Sequence, residues 1–109
     1  MEKEVKNLLK LAKKTVSKKI YGKFKKIGDE NELMDTTKYA IISALKEDYQ
    51  NMEIKIKGLE NEMKDVFFAK NKLLLIPYKI KHFQVDFNKN DFNKVTQLFK
   101  SVQDEIKNV

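Results

Sequence analysis

The stretch from Ile42 to Leu73, ISALKEDYQNMEIKIKGLENEMKDVFFAKNKL, carries the most regular pattern in this sequence. Apolar residues recur along it at alternating spacings of three and four, and only Lys70 interrupts the series. This heptad spacing is typical of a helix that buries one narrow face against another helix. We therefore predict a long central coiled-coil helix whose interface residues are Ile42, Leu45, Tyr49, Met52, Ile56, Leu59, Met63 and Val66.

The central helix is predicted to span residues 30–76, with its start capped by Asp29 or, alternatively, by Asp35 before Thr36. Its end is set by Pro77, which cannot continue a helix without loss of stability. Forty residues of such a helix have a length of about 60 Å. The segment before it, residues 2–27, has apolar residues at helical spacing and predicts an amphipathic helix of about 40 Å. Since this first helix is too short to cover the central one, we expect a second partner, most simply another copy of the chain in a twofold dimer.

Positive charge is concentrated at the N-terminus. The chain has a net charge of +7, yet residues 1–27 hold ten lysines against only Glu2 and Glu4, and the remainder is close to neutral. A helical projection at about 100° per residue places several of these lysines opposite the apolar stripe of the first helix. The residues predicted to bind a polyanion are Lys3, Lys10, Lys14, Lys18 and Lys25.

Two interpretations of the lysine excess remain open. Lysine, asparagine and isoleucine are all abundant and all have A/T-rich codons, so genomic base composition explains the excess as well as selection for binding does. Every basic residue other than the histidine is lysine, which disfavours sequence-specific DNA recognition because arginine is the usual reader of guanine and phosphate. The expected partners are an acidic protein surface or nucleic acid bound without sequence preference, and less favourably an anionic membrane surface.

Beyond the proline, residues 78–87 alternate between apolar and polar side chains, with a slip in phase at His82 and Phe83. This pattern predicts a short extended segment or strand with a bulge. No other run in the chain offers a partner strand, so the segment would pair with another chain or remain an irregular connector. A last helix is predicted over residues 90–108, capped by Asn88 or Asn90.

The composition predicts one mainly α domain, residues 1–109. The absence of cysteine excludes disulfides and thiolate zinc sites. No apolar run approaches the roughly 20 residues of a membrane span, and lysines interrupt the N-terminal segment where a signal peptide would be uninterrupted. We therefore expect a soluble, cytoplasmic protein.

The residues that usually carry catalysis are nearly absent. His82 is the single histidine, and the acidic cluster from Asp29 to Asp35 is better explained by helix capping than by calcium binding. An EF-hand loop starting at Asp29 would need glycine and glutamate where Met34 and Ala40 stand. We predict no enzymatic activity, no cofactor and no metal. The predicted function is that of a non-enzymatic interaction module, an adaptor, inhibitor or assembly factor that self-associates.

Overall fold

The computed structural model describes residues 2–109, except for the side chain of Glu2, and this part of the chain contains helices and no strand. The predicted mainly α fold with a long central helix is confirmed. The chain divides into two compact units, of which the first ends at Leu45 and the second is Lys46–Val109. The helices are α1 (Glu2–Thr15), α2 (Lys18–Phe24), α3 (Glu30–Asn61), α4 (Phe67–Leu73), α5 (Ile76–Asp86) and α6 (Lys89–Lys107).

The first predicted helix, residues 2–27, is wrong as a single element, because the chain breaks between α1 and α2. The Thr15 hydroxyl donates to the carbonyls of Leu11 and Ala12, each at 3.3 Å. Ser17 is extended, with φ −66° and ψ 157°, and its Oγ accepts a hydrogen bond from the Ile20 amide at 3.3 Å. Hydroxyl side chains that bond the local backbone compete with helix continuation, so this short run ends one helix and begins the next.

The core of the first unit is built from α1, α2 and the first half of α3. Thr37 lies in this core and is the single buried polar residue among those that the structure describes. Its Oγ1 donates a hydrogen bond to the Leu33 carbonyl at 2.6 Å, so the buried hydroxyl has a partner. The Asp29 carboxylate accepts from the Glu32 amide at 3.0 Å and caps the start of α3, as the sequence predicted. The buried apolar side chains are Leu8, Leu11, Ala12, Phe24, Ile41, Ile42 and Leu45.

The predicted C-terminal limit of the central helix, near residue 76, is also wrong: α3 ends at Asn61. The Lys64 amide donates to the Leu59 carbonyl and the Met63 amide to the Glu60 carbonyl, each at 3.0 Å. These two bonds define a Schellman motif, which terminates a helix through a residue in the left-handed conformation. Here that residue is Met63, with φ 64°.

The predicted extended segment, residues 78–87, is instead the helix α5. Pro77 lies in its first turn, where the missing amide hydrogen is not needed and the fixed φ favours the helix. The buried residues Ile76, Ile80 and Phe83 are spaced by four and three, as on one face of a helix. The break in the apolar–polar alternation at His82 and Phe83 therefore reflects a helical period and not a strand with a bulge. Backbone groups of this segment are therefore satisfied within one chain, and the reason for an intermolecular strand disappears.

The last helix confirms its prediction within one residue at each end. Asn88 is extended, and its Oδ1 accepts from the Asp91 amide at 2.8 Å, which caps α6. Both α4 and α5 pack against α6. Phe83 connects α5 to α6, since its ring centroid lies 5.6 Å from that of Phe92 on α6 and 4.8 Å from that of Phe87, which follows the last residue of α5.

Candidate interaction surfaces

The predicted interface stripe is largely covered within a single chain. Five of its eight members are only 2–8% exposed, namely Ile42, Leu45, Met52, Ile56 and Val66. Tyr49 and Leu59 are half-buried, and Met63 is exposed. The first two of the eight belong to the first unit and the others to the second. Most residues at heptad spacing are therefore already covered by other parts of the same chain, and Met63 is the one member of the eight that is fully exposed to solvent.

Met63 belongs to a set of exposed apolar side chains at the α3–α4 turn, which we name the turn cluster: Met63, Phe67 and Phe68. Their exposed fractions are 92%, 63% and 65%. The two phenylalanine rings meet edge to face, with centroids 5.5 Å apart. Single exposed apolar residues are ordinary on protein surfaces, whereas a contiguous exposed apolar patch is typical of a contact surface, and the touching rings of Phe67 and Phe68 form the contiguous part of this set.

The backbone of the turn fixes this cluster at the end of α3. The Asp65 carboxylate accepts from the Phe67 amide at 3.1 Å, and the Lys70 ammonium pairs with the Glu60 carboxylate at 3.0 Å across the turn. The predicted central helix, residues 30–76, continued through Phe67 and Phe68 without a turn. The signal that this prediction missed is Asp65, which is well suited to bond the backbone two residues on and to start a new turn.

The lysines predicted to form a single face divide between two helices. Lys3, Lys10 and Lys14 share one face of α1, since they are spaced by seven and four residues. Lys18 begins α2 and Lys25 follows its last residue, so the projection along one continuous helix does not apply to them. All five side chains are exposed, and none forms an ion pair within the described chain.

Tyr21, the aromatic residue in the middle of the lysine-rich segment, contacts Phe24. The ring centroids are 5.9 Å apart in an edge-to-face arrangement, and Tyr21 is half-buried while Phe24 is buried. Its ring is thus occupied in packing within the first unit, which argues against an open platform for base stacking.

Two titratable groups on α3 have shifted pKa values. Partial burial raises the pKa of the Asp48 carboxyl although the residue as a whole is exposed, and the neighbouring charge of Glu47 adds to the rise. Burial likewise raises the pKa of the Tyr49 phenol, followed by the charge of Glu53 and a 3.4 Å hydrogen bond that the Tyr49 hydroxyl donates to that carboxylate. Tyr49 is therefore neutral and acts as a hydrogen-bond donor at physiological pH.

Within residues 2–109 no three acidic or histidine side chains lie together where they would hold a metal ion. None of the helices described combines the length and the hydropathy that crossing a bilayer requires.

No protein-family model matches the chain, and neither the curated proteins nor the solved structures yield a match.

Proposed function

We propose that this chain is a non-enzymatic protein–protein interaction module that self-associates, most simply as a homodimer, and acts as an adaptor, inhibitor or assembly factor. The observation that supports this proposal is the turn cluster, three large apolar side chains left exposed at the end of the central helix. The heptad stripe supports a coiled-coil contact only where α3 leaves it partly open, at Tyr49 and Leu59, and its exposed member Met63 lies beyond the end of that helix.

The energetics of the cluster favour a contact of moderate strength. In a twofold dimer the same patch is used twice, so six large apolar side chains would leave water together. Full burial of each such side chain is worth about 1.5–3 kcal/mol. Association opposes this with about 4–15 kcal/mol of lost translational and rotational freedom, so the expected dimer is concentration-dependent rather than permanent.

The test is the oligomeric state of a double variant, Phe67→Ser with Phe68→Ser. Both side chains are exposed, so their removal should leave the helices intact. We expect the wild type to approach a dimer at high micromolar concentration by sedimentation equilibrium, and the variant to stay monomeric. The matched control is Ile54→Ser with Val85→Ser, which removes two other exposed apolar side chains and should still dimerise.

Two outcomes would contradict self-association through the turn cluster. A wild type that is monomeric at several hundred micromolar would remove the dimer altogether. If instead the Ile54→Ser and Val85→Ser substitutions prevent dimerisation while the Phe67→Ser and Phe68→Ser substitutions do not, the contact surface lies elsewhere on the chain.

A second candidate function, binding of a polyanion, is favoured by the exposed lysines near the N-terminus. Lys3, Lys10 and Lys14 share a face of α1 and have no ion-pair partner among the described residues. Such a face would contact an acidic protein surface or the phosphates of nucleic acid without reading sequence. An anionic membrane would offer the same charges and is the less favoured partner.

Salt dependence separates this function from a merely charged surface. Changing Lys3, Lys10 and Lys14 to glutamine should weaken binding to a random DNA duplex and reduce the salt slope by about one per lost phosphate contact. The control changes Lys55, Lys57 and Lys89 to glutamine, which removes the same charge outside the N-terminal segment. Equal weakening by both variants would show that net charge alone accounts for the binding.

A further inference from the structure

A groove of about 480 Å³ lies between α3 and α5 in the second unit. Its walls repeat the helical period, because four residues line it from Lys46 to Glu53 on α3 and four from Pro77 to Gln84 on α5, each at spacings of three, one and three. Each wall is thus one face of a helix about two turns long, or about 10 Å. The volume lies within the range of small-molecule sites, about 300–1,000 Å³.

The floor and sides of the groove are mostly apolar. Ile80 is buried beneath it, Pro77 is exposed in the first turn of α5, and the half-buried ring of Tyr49 faces them from α3. The Tyr49 hydroxyl donates to Glu53 at 3.4 Å, so the one carboxylate that lines the groove already has a polar partner. These surfaces suit the hydrocarbon part of a ligand.

Two cations border this apolar surface, one on each wall. Lys46 lies on α3 and Lys81 on α5, both side chains are exposed, and neither has an ion-pair partner in residues 2–109. With Glu53 as the single acidic residue of the lining, the groove has a net positive charge. A ligand that completes the groove therefore needs an apolar body and an anionic group within reach of the two ammonium groups.

We propose that this groove binds a small amphiphilic anion, a carboxylate with an aliphatic or aromatic body. The body contacts Pro77 and Ile80, and the carboxylate pairs with Lys46 and Lys81. This binding function can be tested separately from self-association through the turn cluster, because none of the groove residues belongs to that cluster.

The test uses decanoate as the probe and two control compounds. Acetate keeps the carboxylate but lacks the hydrocarbon chain, and decyltrimethylammonium keeps the chain but reverses the charge. Calorimetry gives the affinity, and amide chemical shifts in the full-length protein give the location. We expect decanoate to shift the amides of residues 46–53 and 77–84, and the other two probes to bind at least about tenfold more weakly. Lys46→Gln with Lys81→Gln should weaken decanoate binding about tenfold, which corresponds to 1.4 kcal/mol.

Matched variants keep the test specific. Lys55→Gln with Lys57→Gln removes the same charge from exposed positions of α3 outside the groove and should leave the affinity unchanged. Gln84→Trp adds bulk at an exposed lining position without changing charge and should abolish binding, while circular dichroism checks that the helices persist.

Several results would overturn the proposal. Equal binding of decanoate and decyltrimethylammonium would show an apolar surface without charge selection, and equal weakening by the two lysine pairs would show a net-charge effect. Shifts confined to Phe67 and Phe68 would place the ligand on the turn cluster instead. If an acidic amphipathic peptide shifts the groove amides and decanoate does not, the groove is a docking site for a protein helix.

Discussion

Met63 combines an exposed apolar side chain with a backbone conformation that favours glycine, since its φ is 64°. The left-handed conformation costs an L-residue about 1–2 kcal/mol, and glycine is largely free of this cost. We expect Met63→Gly to raise the free energy of unfolding by about 1 kcal/mol, measured by urea denaturation at a concentration where the chain is monomeric. Met63→Ala is the control, because it removes the side chain and keeps the strain. Equal stability of the two variants would refute strain at this turn.

The raised pKa of Asp48 predicts a pH dependence of stability. Asp48 is exposed as a residue, but partial desolvation of its carboxylate and the charge of Glu47 make the ionised form slightly less favourable in the folded chain than in the unfolded one. Stability should therefore fall as the pH rises from the ordinary value of 3.8 through the raised pKa. We expect Asp48→Asn to be more stable than the wild type at pH 7 and to lose this advantage near pH 3. Denaturation curves giving the same difference at both pH values would contradict this assignment.

At the scale of the helices, the sequence predicted an end correctly where a capping side chain marks it, and wrongly where only the apolar spacing was used. The start of α3 at Asp29 and the cap of α6 at Asn88 were predictable because a capping side chain bonds the backbone three residues on. The end of α3 was missed because Val66 and Leu73 keep the heptad spacing although they lie beyond the turn. Pro77 was taken as a stop, yet a proline also fits the first turn of a new helix.

The contact between α4 and α6 includes an ion pair whose contribution can be measured. The Lys72 ammonium lies 2.7 Å from the Glu105 carboxylate and also donates to the Ser101 hydroxyl at 2.8 Å. Both charged side chains remain about one-third exposed, so the pair should be screened by salt. A double-mutant cycle with Lys72→Met and Glu105→Gln should give a coupling of about 0.5–1 kcal/mol that shrinks in 1 M salt. Perfect additivity would show that the Lys72–Glu105 ion pair adds no measurable stability to this contact.

At the scale of the whole molecule, the lysine-rich N-terminal segment was predictable from sequence, whereas the turn cluster was not. Charge can be counted without knowing the fold, and all five predicted lysines are exposed. A heptad stripe, by contrast, has the same spacing whether its residues are covered within a chain or between chains. Five of the eight residues are buried within one chain, so the surface available to a partner depends on turns that periodicity does not encode.

The prediction that residues 1–109 form one domain is a prediction about cooperative unfolding. The helix α3 passes from the first unit into the second at Leu45 and Lys46 without interruption, so unfolding of one unit should remove helical turns that stabilise the other.

Ile76→Val trims a fully buried side chain of the second unit and should lower the free energy of unfolding by about 0.5–1.5 kcal/mol. Amide hydrogen exchange should then show the same loss of protection around Ile41 as around Val95. The reciprocal variant, Ile41→Val, should act equally on both units. Loss confined to the unit that carries the substitution would mean that the two units unfold independently and that the chain has two domains.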